Sequence, residues 1–189
     1  DVEFIDRIGG LDSITTLKEA KVVATREGII RGNRKKQLSE ILGKRIMSAK
    51  SFDDDVFLTL NAKDLPINED DRLDGAASTN FSAFGLPQII IKQSWQVDSR
   101  RFRATMVNST SKIGGVLCSD SYVSACALNG NADLLETICL VLNSSFATYY
   151  QLLTSGRFAS FIPQPLESEL RAVPLPPAVP NAIRGLESF

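Results

Sequence analysis

The stretch Arg26-Glu-Gly-Ile-Ile-Arg-Gly-Asn-Arg-Lys-Lys36 concentrates cationic side chains: Arg26, Arg31, Arg34, Lys35 and Lys36. Gly28 and Gly32 bracket an apolar pair and mark a tight loop. The KKQLSEILGKR that follows reads as a short helix, with Leu38, Ile41 and Leu42 on one face and Gly43 as its stop. Loop amides beside a helix N-terminus make a concavity suited to anions, and arginine forks suit a phosphate or a guanine edge. A second cluster is Lys92 with Arg100, Arg101 and Arg103, around QSWQVDSRR. Asn33, Gln93 and Gln96 add amides of the kind that pair with adenine. Trp95 is a stacking residue or, by its habitual burial, a packing one. Ordinary solvated surface is the alternative for both clusters.

Catalytic chemistry finds little to work with. The chain contains no histidine, which removes Ser/His/Asp and Cys/His nucleophiles and every His-based metal site. Cys118, Cys126 and Cys139 form no C-x-x-C pair, so zinc ribbons and thioredoxin-like chemistry are out. Buried, inert thiols of a reducing compartment are expected instead. No G-x-G-x-x-G or Walker loop occurs, and Ser119 and Ser121 lack the lysine base of an S-x-x-K arrangement. Carboxylates crowd into SFDDDVFLTLNAKDLPINEDDRLDG without EF-hand spacing, and nothing positive supports a two-carboxylate hydrolase site there. No catalytic or metal-binding residue is expected in this chain.

With 189 residues, 43 % hydrophobic and 23 % charged, the chain can bury a core without a disulfide or metal staple. A formal net charge of −1 weighs against indiscriminate polyanion binding. That total conceals a basic first quarter and an acidic insert. Residues 1–50 carry 11 Lys+Arg against 7 Asp+Glu, and residues 51–80 carry 2 against 8. The insert reads as a solvated loop. No apolar run approaches the ~20 residues of a membrane helix, so no membrane partner is expected. The opening DVEFIDRIGG lacks an initiator Met and a signal-peptide layout, as in a piece of a longer protein.

The elements that must position the clusters are mixed. Leu17 to Thr25 reads as a helical turn running into a strand, VFLTL as a strand, and QIIIK as a buried strand after Pro87. RFRATMV alternates Phe102, Ala104 and Met106 with Arg101, Arg103 and Thr105, which predicts a half-buried strand with its arginines on the open face. GGVLCSDSYVSACAL gives one or two further strands around a Ser-Asp turn. One long amphipathic helix is expected from Asp133 to Ser155. Asp133 and Glu136 have capping-box spacing, Gly156 closes it, and Leu135, Ile138, Leu142, Phe146, Tyr149 and Leu153 form its apolar stripe. A short helix at LESELRAV precedes a proline-rich exit. The class is α+β, with mixed or antiparallel strands.

In their order these segments resemble the target-recognition (specificity) domain of TaqI-like adenine-specific DNA methyltransferases of restriction-modification systems. LKEAKVVATREGIIRGN is similar to its Leu-led turn and strand before a G-I-x-x-G-N loop, and LPQIIIKQSW to its P-K-I-I strand, with RFRATMV following. SDSYVSACAL resembles the strand before its long helix. LLETICLVLNSSFATYYQLLTSGR is similar to the L-x-x-L-L-N-S helix, and LRAVPLPP to the L-x-x-I-P-L-P exit. Type I restriction specificity subunits share much of this pattern, and half of such a subunit is the nearest alternative. Two departures stand out: the family continues its glycine loop into a strand where NRKKQLSEIL looks helical, and the D/N-P-P-Y/F and cofactor-loop signatures are absent.

The resemblance implies a module without catalytic residues, spanning residues 16–178. Residues 1–15 then link to a missing preceding domain, and residues 179–189 are a proline-rich exit. It implies a cytoplasmic protein that grips double-stranded DNA in a cleft against a preceding methyltransferase domain. S-adenosylmethionine and the flipped adenine belong to that domain, and no cofactor to this one. Arg31, Arg34, Lys35, Arg100 and Arg101 are then phosphate contacts, Asn33 and Gln93 read base edges, and Lys92 and Arg103 complete the DNA-binding set. The rival of another class is a non-catalytic protein-interaction module, bound through the helical stripe and the proline-rich tail.

Overall fold

The computed structural model describes residues 2–19, 21–30, 35–48, 58–74, 81–96, 101–157 and 164–177. The chain starts with α1 (Val2–Ile8), β1 (Asp12–Ser13), α2 (Ile14–Glu19) and β2 (Val23–Glu27). Short strands follow: β3 (Lys35–Gln37), β4 (Ile46–Met47), β5 (Thr59–Asn61) and β6 (Arg72–Asp74). The long strands β7 (Gln88–Gln96) and β8 (Arg101–Asn108) lead to β9 (Leu117–Cys118) and β10 (Tyr122–Ala127). Helices α3 (Ala132–Leu142), α4 (Ser145–Thr154) and α5 (Glu167–Arg171) precede β11 (Pro174–Leu175). The class is α+β, built on a five-stranded sheet of order β2-β10-β7-β8-β5. Its pairings are antiparallel except β5 with β8, which is parallel.

Both faces of this sheet are buried. Ile89, Ile91, Ala104, Val123 and Ala125 pack with Leu135, Ile138 and Leu142 of α3 on one side. Ile90, Val107 and Tyr122 join Ile29, Met47, Leu60, Phe84 and Cys118 on the other. A strand covered twice reads as a continuous apolar run, which is why QIIIK shows no alternation. Cover on the second face also overturns the half-buried expectation for RFRATMV: Thr105 is 0 % and Arg103 6 % exposed, so Arg103 does not stand on an open face. Part of that cover comes from the acidic insert. Leu60, Ala62 and Leu65 are buried on this face and Leu58 in the helix-side core, so residues 58–65 are packed, while Asp64 and Glu69 stay exposed as expected and residues 51–57 lie outside the described residues.

Buried polar groups fix the sheet's surroundings. The Gln88 amide donates to Val116 O at 2.7 Å and to Ser124 Oγ at 2.8 Å, and accepts from Val116 N at 2.8 Å. Ser124 Oγ in turn donates to Ala83 O at 2.6 Å. Glycine is required where backbones meet. A Cβ on Gly28 would lie 2.0 Å from Ser119 O, and one on Gly115 would lie 1.8 Å from Phe84 O.

Two helical expectations are corrected. The segment after the basic loop is not a helix at its start: Lys35–Gln37 is a strand, paired antiparallel with Arg72–Asp74, and only Ser39–Ile41 makes a 3-10 turn. The expected single helix from Asp133 to Ser155 is two helices, α3 and α4, broken at Asn143 and Ser144. Its N-cap is Asn131, which accepts from Leu134 N, not Asp133. The break has a cause. Asn143 Nδ2 donates to Ala104 O at 2.7 Å and to Cys139 O at 2.8 Å, and Asn143 Oδ1 accepts from Ala104 N at 3.2 Å. The side chain serves as a strand partner for β8 and closes α3, while Ser144 caps α4 through Ala147 N.

Residues 1–15, expected as a linker, hold α1 and β1. Phe4 lies edge-on to Phe146 and Tyr149, and β1 pairs with β11, Asp12 opposite Leu175. The proline-rich exit at residues 179–189 lies outside the described residues. Among the described residues no helix is long and apolar enough to cross a membrane.

Asn143→Ala strips both hydrogen-bonding groups from the buried Ala104 peptide. It is expected to lower stability by about 2–3 kcal/mol, or about 5–10 °C in melting temperature for a domain of this size. The exposed Lys63→Ala is expected to stay within about 0.5 kcal/mol. Thermal unfolding followed by circular dichroism distinguishes the two.

Candidate nucleic-acid interface

Strand register brings the two basic segments to one end of the sheet. Glu27, the last residue of β2, lies opposite Val123 near the start of β10. Tyr122 lies opposite Lys92 of β7, and Lys92 opposite Arg103 of β8. Gly28 N donates to Tyr122 O at 2.9 Å, which extends the row to the mouth of the glycine loop. β7 then runs on to Gln96, paired with Arg101 after an irregularity in register. The chain thus leaves the sheet at the same end after Ile30 and after Gln96, although Glu27 and its hydrogen-bond partner Gln93 lie 66 positions apart in sequence.

The individual residues fall into three groups. Arg31, Asn33, Arg34 and Arg100 lie outside the described residues, and Lys35 and Arg101 are described only as members of β3 and β8. Lys92 is half-buried and faces Arg103 across the strand pair, on the sheet side away from α3. Gln93 is turned to the other side and is 3 % exposed; its Nε2 donates to Glu27 Oε1 at 3.2 Å. Arg26 is engaged as well: its guanidinium sits 4.6 Å from the Phe81 ring centre and 5.5 Å from that of Phe84. Burial lowers its pKa without removing the charge.

Two clefts open at this end. One, of about 260 Å³, is lined by Ile29, Ile30, Ile46, Met47, Ser48, Ser119 and Asp120. The second, of about 370 Å³, shares Ile46 and Ser48 with it and carries Glu69 and Asp70. Those two carboxylates give the second cleft a negative wall. Sequence reasoning weighed Ser119 only as a nucleophile and passed over Asp120. The Ser-Asp-Ser turn between two strands was the available signal, but only the Ile29–Ser119 bridge shows that it meets the glycine loop. A third cleft lies elsewhere, an apolar groove of about 390 Å³ lined by Leu11, Leu140, Val141, Ser144, Phe146, Pro174 and Pro176.

The described residues contain no group of acids, cysteines or histidines able to hold a metal. All three thiols are free and buried. Burial, then the neighbouring Glu136, pushes Cys139 up to about 12, and burial also raises Cys118 and Cys126. No protein-family model matches the chain, and no curated protein matches it.

The thiols generate a prediction. At pH 8 the native protein is expected to leave a disulfide reagent unconsumed, and the denatured chain to consume three equivalents. Above the ordinary thiol value of 9.0 the unfolded Cys139 ionises while the folded one keeps its proton until about 12. The stability it contributes is therefore complete below pH 9.0 and is lost as pH rises toward 12, a decline that chemical denaturation at stepped pH measures.

Proposed function

We propose that this chain is the DNA sequence-recognition module of a bacterial adenine-specific DNA methyltransferase of a restriction-modification system, acting in the cytoplasm on double-stranded DNA. The convergence of the two basic segments at one end of the sheet carries this reading. A strand at Lys35–Gln37 adds support, because the family pattern continues its glycine loop into a strand. The N-S pair of the helix motif has a structural task at the α3–α4 break, which suits a motif kept for its fold and not for its target.

In this reading the module positions DNA and does no chemistry. Arg31, Arg34, Lys35, Arg100 and Arg101 neutralise phosphates. Side chains at the loop mouths face the base edges. Methyl transfer from S-adenosylmethionine to an extruded adenine belongs to a preceding domain, since the sequence has neither the glycine-rich cofactor loop nor a D/N-P-P-Y/F tetrapeptide. Buried Gln93 acts by tying the end of β7 to β2 through Glu27, and buried Arg103 stands opposite Lys92 in the strand register.

One observation favours a second reading. The apolar groove is lined from the helical stripe, by Leu140, Val141 and Phe146, and from the exit, by Pro174 and Pro176. A protein-interaction module would use that groove, and its binding would survive high salt.

Duplex binding measured by fluorescence anisotropy across a salt series separates the two. Five phosphate contacts give a slope of log affinity against log salt of about −4.5. Arg100→Ala with Arg101→Ala is expected to reduce its magnitude by about 2, and Arg31→Glu by about 1. Affinity and slope unchanged in both variants would overturn the residue assignment. No binding by the parent chain at low salt would overturn the DNA reading.

A further inference from the structure

The cleft at the glycine-loop mouth holds a group that phosphate binding does not use. Asp120 is exposed on its rim, and its carboxylate has no hydrogen-bond or ion-pair partner among the described residues. Beside it the Ser119 hydroxyl is buried and likewise makes no hydrogen bond. Ile29, Ile46 and Met47 make the rest of the wall apolar apart from Ser48, with Ile30 standing 44 % exposed at the edge. Several contacts fix the geometry. Ile29 N donates to Cys118 O at 2.7 Å, Ser119 N to Met47 O at 3.1 Å, and Tyr122 N to Ser119 O at 3.1 Å. The carboxylate therefore stands on a turn tied to the sheet, a few residues from the basic row at Tyr122 and Lys92.

A carboxylate accepts hydrogen bonds and cannot donate them, so it repels a phosphate and selects a donor. In the major groove the donors are the exocyclic amines, N4 of cytosine and N6 of adenine, while guanine and thymine offer oxygen acceptors at those places. At about 260 Å³ the cleft falls just below the ~300–1,000 Å³ of small-molecule pockets, which suits the edge of a base and not a whole cofactor. We infer that Asp120, on the wall it shares with Ser119 and Ile30, reads the exocyclic amine of one base. It thereby selects adenine or cytosine over guanine or thymine on one strand of the target. The inference rests on the DNA reading above and names a specificity-determining residue within it.

Selection from a pool of randomised duplexes, followed by sequencing, tests this with the 189-residue chain, Asp120→Ala and Asp120→Asn. The parent chain is first checked for binding to unselected duplex at low salt. It is then expected to prefer adenine or cytosine at one position by about tenfold, within the discrimination one good base contact gives. Asp120→Ala is expected to flatten that position while keeping total affinity within about threefold, because Asp120 contacts no phosphate. Asp120→Asn, whose amide both donates and accepts, is expected to narrow the preference to adenine. If the parent chain binds duplex but the variants keep its base preferences, or if it shows none, the role of Asp120 is overturned and the DNA reading stands. If the parent chain does not bind duplex, both fall.

Discussion

The register of β10 between β2 and β7 decides which side chains meet at the basic end of the sheet. Val123, Ala125 and Ala127 point to the helices and Tyr122 and Ser124 to the opposite core, so a slip by one residue would exchange every contact. Apolar burial alone tolerates such a slip poorly, and the Gln88–Ser124–Val116–Ala83 network forbids it. Each of these hydrogen bonds is worth about 1 kcal/mol when made and more when one partner is left unpaired. A satisfied buried network specifies one arrangement more sharply than it stabilises it. The row Gly28–Tyr122–Lys92–Arg103 follows from that register, as does the meeting of Gly28–Ile30 with the facing ends of β7 and β8.

The helix side answers the same demand. The side chain of Asn143 supplies β8 with both a donor and an acceptor at Ala104, just beyond the span paired with β5. That service bends the chain between α3 and α4. Gln151 then reaches Glu169 O, and Ser155 Oγ donates to the Glu169 carboxylate at 2.8 Å, tying α4 to α5. Thr25 of β2 donates to Glu167 at 2.6 Å, closing the circuit back to the sheet. Rigidity on this side leaves the opposite end free to be built from loops.

Elements with strong local signals were legible in the sequence. The β-branched QIIIK strand, the turn and strand from Leu17, the two strands flanking the Ser-Asp turn, the short helix at LESELRAV and the burial of the cysteines all stand in the structure. What failed did so where a partner distant in sequence prevails over a local pattern. The helical spacing of Leu38, Ile41 and Leu42 gave no hint of the pairing of Lys35–Gln37 with Arg72–Asp74. The stripe from Leu135 to Leu153 runs unbroken through Asn143, because its competitor is a peptide 39 positions away. Alternation in RFRATMV suggested one open face, since nothing local reveals that the insert and the Phe84 turn cover it. At the candidate site residue types were legible but not their facing: Gln93 was expected at base edges beside Lys92 and Arg103, and the structure turns Gln93 to the opposite face and buries Arg103.

Backbone amide chemical shifts recorded while a short DNA duplex is added test the central claim, that DNA meets the sheet end where the basic segments converge. The account predicts that shifts concentrate at Gly28–Ile30, Lys92–Gln93, Arg103 and Ser119–Tyr122, and leave Asn131 and the α3–α4 groove unmoved. Shifts confined to Leu140–Phe146 and Leu175, or no shifts at low salt, would contradict it.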